Sequence, residues 1–253
     1  MEGSMKGVQI FSHSLRQVMD NFGPALKVSG VLYLVQVGIT MLLGYAMAAA
    51  GMGMMGGGIG LGVVLVLVVT LITGIWIAVA WHRYVLLGEE PVGVVPPFMG
   101  ERMGQYFIKS LLIGLALMVL GMVLGMIVGT LFGRLMMGGP FMAMLLMAVM
   151  VQVPLIFLGL RLSAALPGTA LGSNLPFLAG WQATEGEWRP LLQLSALMAL
   201  ALWVVNMLSW FVFGGFGPLA TIWQLIAGWP ITMVGLSILT TLYGHYIEKR
   251  PLV

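Results

Sequence analysis

Six apolar runs, each long enough to cross a bilayer, constrain this chain more than any other feature. A spanning helix needs about 20 mostly apolar residues to cover roughly 30 Å of hydrocarbon. Ala25–Ala50, Ile59–Trp81, Tyr106–Phe132, Phe141–Leu160, Leu191–Phe213 and Leu219–Tyr246 meet that requirement. The run Val63-Val64-Leu65-Val66-Leu67-Val68-Val69 is apolar on every side, whereas a strand of a transmembrane barrel alternates. In lipid the backbone must satisfy its own hydrogen bonds, so these Val-rich runs are read as helices despite their strand propensity in water. Only 8% of the 253 residues are charged, against roughly 25% in a soluble domain, which excludes a water-soluble globule. The chain has no Cys, which removes disulfide and thiolate chemistry.

The expected fold is therefore an all-α integral membrane protein, six transmembrane helices arranged as three hairpins. It forms a single polytopic domain over residues 1–253, with an interfacial helix in 1–24 and hairpins at about 25–81, 106–160 and 191–246. Ala46-Met47-Ala48 mimics a signal-peptidase site. Its apolar run is longer than a secretory signal's and begins about 25 residues in, so an uncleaved helix is expected.

Charge placement sets the expected orientation. Lys6, Arg16, Lys27, Arg83, Arg102, Lys109, Arg161, Arg189, Lys249 and Arg250 fall before span 1, between spans 2 and 3, between spans 4 and 5, or after span 6. Arg134 is the one basic residue on the other side. The positive-inside rule then puts both termini in the cytoplasm, with the chain in a bacterial inner membrane. All eight acidic residues share that side, leaving 51–58, 133–140 and 214–218 almost uncharged.

A short amphipathic segment precedes each hairpin. In the first, Val8, Phe11, Leu15, Val18, Met19 and Phe22 form one stripe, opposite Gln9, Ser12, His13, Arg16, Gln17 and Asp20. Such a helix should lie in the headgroup plane on the cytoplasmic side before the chain turns inward at Gly23-Pro24. The spacing from Phe11 to Phe22 returns between Phe177 and Trp188, and a shorter version runs from Pro97 to Lys109. A triplicated unit and the general likeness of amphipathic membrane segments both account for this rhyme.

Trp81-His82-Arg83-Tyr84-Val85-Leu86-Leu87-Gly88-Glu89, Arg161 through Gly172, and Trp181-Gln182-Ala183-Thr184-Glu185-Gly186 carry a resemblance. Together they resemble a group of bacterial six-span proteins that includes the membrane domain of some glycerophosphoryl diester phosphodiesterases. The resemblance covers most of the chain and implies the six-span fold. In those phosphodiesterases the chemistry belongs to a separate soluble barrel domain. No barrel is expected in these 253 residues, so the resemblance does not bring the enzyme activity with it.

Side chains inside the spans supply the remaining candidates. Gly121, Gly125, Gly129 and Gly133 make a small-xxx-small ladder on span 3, where another helix backbone is expected to approach closely. Gly58 and Gly62 begin a shorter ladder on span 2. Clustered thioethers (Met52, Met54, Met55, Met118, Met122, Met126, Met136, Met137 and Met142) suit Cu(I) in principle. No Cys or His accompanies them on that side, and Met is a general gap filler, so packing is expected and no cofactor or metal is assigned. His13, His82 and His245 stand near helix ends without ligand-spaced partners. Glu89-Glu90, Glu101-Arg102 and Glu185-Gly186-Glu187 read as solvated loops, and no nucleophile–base pair, P-loop or zincin motif appears.

Arg16, Arg83, Arg161, Arg189, Trp81 and Trp188 are expected at the lipid headgroup level. The uncharged polar residues Gln36, Gln152, Asn206 and Gln224 are the candidates for a polar pathway, with Pro154 and Pro230 as kinks. No charge is expected at mid-depth, which weighs against an ion-coupled carrier. The expected function is thus non-enzymatic: an accessory, assembly or lipid-organising protein whose partners are membrane lipids and other integral membrane subunits. The alternative is a permease for a small neutral or lipidic solute. A lipid enzyme working through His82, Glu89 and Glu90 is the least favoured reading. A net charge of +3, spread along the membrane, offers no nucleic-acid surface.

Overall fold

A computed structural model describes residues 5–49, 59–214 and 217–252. Among these residues six helices are long and apolar enough to span a membrane, and no strand occurs. The protein is an all-α, multi-pass membrane protein. Residues 51–58, with Met52, Met54, Met55 and the ladder position Gly58, and part of 214–218 lie outside the described residues.

Helix α1 (Lys6–Asp20) is followed after one residue, Asn21, by α2 (Phe22–Ala49), and α3 (Ile59–Leu87) returns. The corner is pinned at Asn21, whose Nδ2 donates to the Gln17 carbonyl at 2.8 Å while its Oδ1 accepts from the Tyr84 hydroxyl at 2.7 Å. Residues 88–99 form no helix, and Trp76 Nε1 donates to the Pro96 carbonyl at 3.1 Å to hold that segment down. Helix α4 (Gly100–Met136) then crosses. At 37 residues it is about 55 Å long, well beyond the roughly 30 Å of hydrocarbon, so its charged first turns extend past the bilayer core.

The fourth span is composite: α5 (Pro140–Met147), a π-helical turn over Ala148–Gln152, and α6 (Val153–Ser163). Two short helices, α7 (Leu166–Leu171) and α8 (Ala179–Ala183), precede α9 (Trp188–Phe211) and α10 (Pro218–Leu242), the last ending in a second π turn over Tyr243–Ile247. Hairpins 2 and 3 turn on the same device. Gly139 (φ 130°) and Gly217 (φ 115°) take a conformation that side chains resist, and each is followed by Pro at the first helical position, where a missing N–H costs nothing.

Because the spans alternate in direction, α1, α7, α8 and the ten basic residues named above share one end, hereafter the charged end. Only the first amphipathic segment forms the helix expected of it. Residues 100–109 are the continuous start of α4, and between Phe177 and Trp188 only the five-residue α8 forms. The triple repeat therefore does not reach the level of elements. Nor does α1 lie free in the headgroup plane. Its Gly7, Ile10, Ser14 and Val18 are buried, at helical spacing, against the ends of α9 and α10 and, at Val18, the first hairpin. A Cβ at Gly7 would stand 2.5 Å from the Pro190 carbonyl oxygen, so only glycine permits this approach.

The core sits toward the charged end. Ile10, Leu160, Leu191, Leu194, Ile238 and Leu242 fill one part, and Val28, Ile77, Trp81 and Met233 another. Much of the remaining apolar surface is exposed, as lipid contact requires: Leu34, Leu67, Leu131 and Phe211 are each at least 60% accessible.

Candidate functional site

The site begins with proline. Pro154 has no N–H to return to a carbonyl one turn back, and the chain accommodates it with an extra residue in the preceding turn. The N–H of Val153 bonds to the carbonyl of Ala148, five residues earlier, instead of four. Ala148 and Val151 of this π turn are buried, and Gln152 faces a cavity. Gln152 lies 12 residues from Pro140, about 18 Å along the helix, and so near mid-depth.

Helix α9 supplies the opposite wall. Trp203, Asn206 and Trp210 recur at three- and four-residue spacing and form one stripe. Pro140, Ala143, Met144 and Met147 of α5, with Met136 and Gly139, complete a cavity of about 600 Å³. Small Ala143 and Gly139 leave the room, and the thioethers give an apolar, adaptable lining. The Trp203 ring is braced edge-on by Phe141, centroids 5.6 Å apart.

Two residues of the lining each carry a polar atom that is buried away from the accessible surface and has no partner among the described residues. Gln152 Oε1 is a buried acceptor without a donor, and Trp203 Nε1 a buried donor without an acceptor. Each such atom costs about 1–3 kcal/mol, and native structures contain few of them. Asn206 is partly satisfied, its Nδ2 donating to the Leu202 carbonyl at 2.8 Å. Among the described residues, no charged one lines the cavity.

Toward the charged end the polar groups are paired instead. His82, fully buried, has Nδ1 2.8 Å from Thr240 Oγ1 and Nε2 3.2 Å from the Tyr106 hydroxyl. The Thr240 hydroxyl already donates to the Leu236 carbonyl at 2.8 Å, so the arrangement that satisfies every group has Nδ1–H donating and Nε2 accepting from Tyr106. Trp81 Nε1 donates to Ser237 Oγ at 2.9 Å, and Ser14 and Thr241 share a hydroxyl contact at 2.9 Å. These side chains join all three hairpins and α1 in one packed plug.

The four polar candidates separate. Gln152 and Asn206 share the cavity, whereas Gln36 Oε1 accepts from Thr73 Oγ1 at 3.2 Å between α2 and α3, and Gln224 is exposed on α10. No single pathway gathers all four. Trp203 was not among the sequence candidates; its signal was an indole deep in a span, three residues from Asn206, where aromatic belts do not reach.

The glycine ladder divides too. Gly121 receives Leu155, 3.2 Å from where a Cβ would stand, and Gly159 receives Leu117 at 3.3 Å, so α4 and α6 exchange a leucine for a glycine. Gly125, Gly129 and Gly133 have no neighbour within 4 Å among the described residues, so the close approach expected along the ladder occurs at its first rung.

The interfacial residues also split. Trp81 is a core residue with 0% exposure, not a headgroup contact, because Ser237 satisfies its indole N–H inside the bundle. Arg83 is committed to a bidentate pair with Glu89 and to the Ala170 carbonyl at 3.1 Å. Arg161 stacks on Trp181, 3.7 Å from the ring centroid, and donates to Thr184 Oγ1 at 3.2 Å. Arg16, Arg189 and Trp188 remain exposed at the charged end. Comparison of the chain with protein-family models, curated proteins and solved structures gives no match.

Proposed function

We propose that this membrane protein is a non-enzymatic component of the bacterial inner membrane that holds a bilayer-borne molecule in its lateral cavity. In this reading it works as an accessory or lipid-organising protein beside larger membrane assemblies. One observation carries the proposal: a cavity of about 600 Å³, lined mainly by apolar side chains of α4, α5 and α9, reaches from the uncharged end to Gln152 near mid-span. The sequence likeness to membrane domains that accompany glycerophosphoryl diester phosphodiesterases belongs to the same proposal and fits an accessory role. Gly125, Gly129 and Gly133 on α4, with open space among the described residues where a Cβ would stand, are available to a neighbouring helix.

The second reading, a permease for a small neutral or lipidic solute, draws on the convergence of Gln152 and Asn206 in one cavity. Reconstitution separates the two. Proteoliposomes of the purified chain should bind neutral lipidic probes without accelerating their passage or that of glycerol and urea. Accelerated, saturable flux abolished by Gln152→Leu would replace the accessory reading with the permease.

A further inference from the structure

We infer that Arg102, set over the turn at Gly172, is a site for the phosphate of an anionic lipid headgroup at the charged end. The site lies apart from the cavity and does not depend on what the cavity holds. Gly172 closes α7 in the left-handed conformation (φ 94°), and the Arg102 side chain occupies the space that its missing Cβ leaves. Cζ, Nη2 and Nη1 of Arg102 stand 2.8, 2.8 and 2.9 Å from where that Cβ would be. Distances so even put the flat face of the guanidinium against the turn. Its N–H donors all lie in the plane, so this stacking uses none of them. No described residue hydrogen-bonds to Arg102 or forms an ion pair with it. The residue is only partly buried, which leaves the edge of the fork within reach of a ligand.

Two more cations reach the same turn. Arg83 Nη1 donates to the Ala170 carbonyl at 3.1 Å, and Lys109 Nζ to the Leu175 carbonyl at 2.9 Å. Glu89 offsets the charge of Arg83, but no described carboxylate pairs with Lys109 or Arg102. Glu101, the acid beside Arg102 in the chain, is exposed and accepts from Gln105 at 3.3 Å. Setting Glu101 against Lys109 and Arg102 leaves one net positive charge, the complement of a phosphodiester. A flat fork with free N–H groups matches two phosphate oxygens. Ser173 and Asn174, which follow Gly172, add side-chain donors that have no partner among the described residues. Depth assigns the phosphate to a lipid. Arg102 is in the first turn of α4, about 10 Å along the helix from Lys109, and exposed Ile108 and Leu112 continue toward mid-depth as surface for acyl chains.

Three probes separate the sources of phosphate: dioctanoylphosphatidylglycerol, dioctanoylphosphatidylcholine and inorganic phosphate, each titrated into the full chain in a neutral detergent. The readout is the ligand-dependent shift of the unfolding midpoint. Phosphatidylglycerol should shift it saturably, at concentrations where phosphatidylcholine and inorganic phosphate do not. Arg102→Gln should weaken phosphatidylglycerol binding by about tenfold, the factor carried by one charge-assisted hydrogen bond. Lys27→Gln removes the same charge from an exposed position at the same end and should leave that affinity unchanged. Without lipid, the Arg102→Gln chain should unfold no earlier than wild type, because the lost cation has no described protein partner. Equal weakening by Lys27→Gln, undiminished binding by Arg102→Gln, or no saturable shift with phosphatidylglycerol overturns the site. An equal shift with phosphatidylcholine overturns the anionic headgroup, and one with inorganic phosphate overturns the lipid source. A lowered midpoint of lipid-free Arg102→Gln would assign Arg102 to the fold instead.

Discussion

At the scale of single residues, two of the cavity-lining side chains carry buried polar atoms without partners among the described residues, as Gln17 does with Oε1 on α1. Gln152 Oε1 and Trp203 Nε1 lack partners among the described residues, whereas Trp81, His82, Tyr106 and Thr240, more deeply buried residues, are all bonded. This inverts the usual outcome of removing a buried amide. Gln152→Leu keeps similar bulk and deletes an unsatisfied acceptor, so in nanodiscs it should raise stability, by about 1–3 kcal/mol. Thermal unfolding followed by circular dichroism checks this, and a lowered midpoint would mean that Gln152 is already satisfied. Gln152 was visible in the sequence as a mid-span amide. The indole was not, because a tryptophan's role in a helix depends on what stands opposite its N–H: Ser237 for Trp81, and no described residue for Trp203.

At the scale of elements, glycine marks where helices meet and where they do not. A Cβ at Gly7 would meet the Pro190 carbonyl oxygen at 2.5 Å, and one at Gly180 the Arg161 carbonyl oxygen at 2.6 Å, both backbone atoms that cannot turn aside. Gly7→Ala and Gly180→Ala should each cost about 1–3 kcal/mol, and the first should loosen α1 from α9 and α10. Gly129→Ala meets nothing within 4 Å and should leave the monomer unchanged, or stabilise it by up to about 1 kcal/mol through helix propensity. Denaturation of the three variants, with amide exchange along α1, reads the contrast. A Gly129→Ala chain as damaged as Gly7→Ala would show that an unseen helix occupies the ladder. Spacing of four residues announced the ladder in the sequence, but spacing alone does not say which rung has a neighbour. For the same reason the π turn was hidden. Pro154 signalled a break, and a π turn over Ala148–Gln152 stands just before it.

At the scale of the whole molecule, hydrophobicity alone fixes the six spans, because only helices satisfy their backbone in lipid. The apolar runs were therefore legible to within six residues at each end: span 3 was expected at Tyr106–Phe132 and is Gly100–Met136, and span 5 at Leu191–Phe213 and is Trp188–Phe211. The three-fold repeat was not legible as structure, because the short segments before hairpins 2 and 3 are shaped by what they pack on. Lys109, for example, binds Thr169 Oγ1 and the Leu175 carbonyl, which ties the start of α4 to the α7 region. Orientation belongs to this scale as well. With the basic residues at the end that carries both termini, a fluorescent protein fused after Val253 should fold and fluoresce in the cytoplasm. Activity of an alkaline phosphatase fused at the same point would reverse the topology.

Native mass spectrometry of the chain released from its own membranes into mild detergent tests most directly whether the lateral cavity is a binding site. Each wild-type chain should retain one small neutral molecule. A wild type that emerges without one would contradict it.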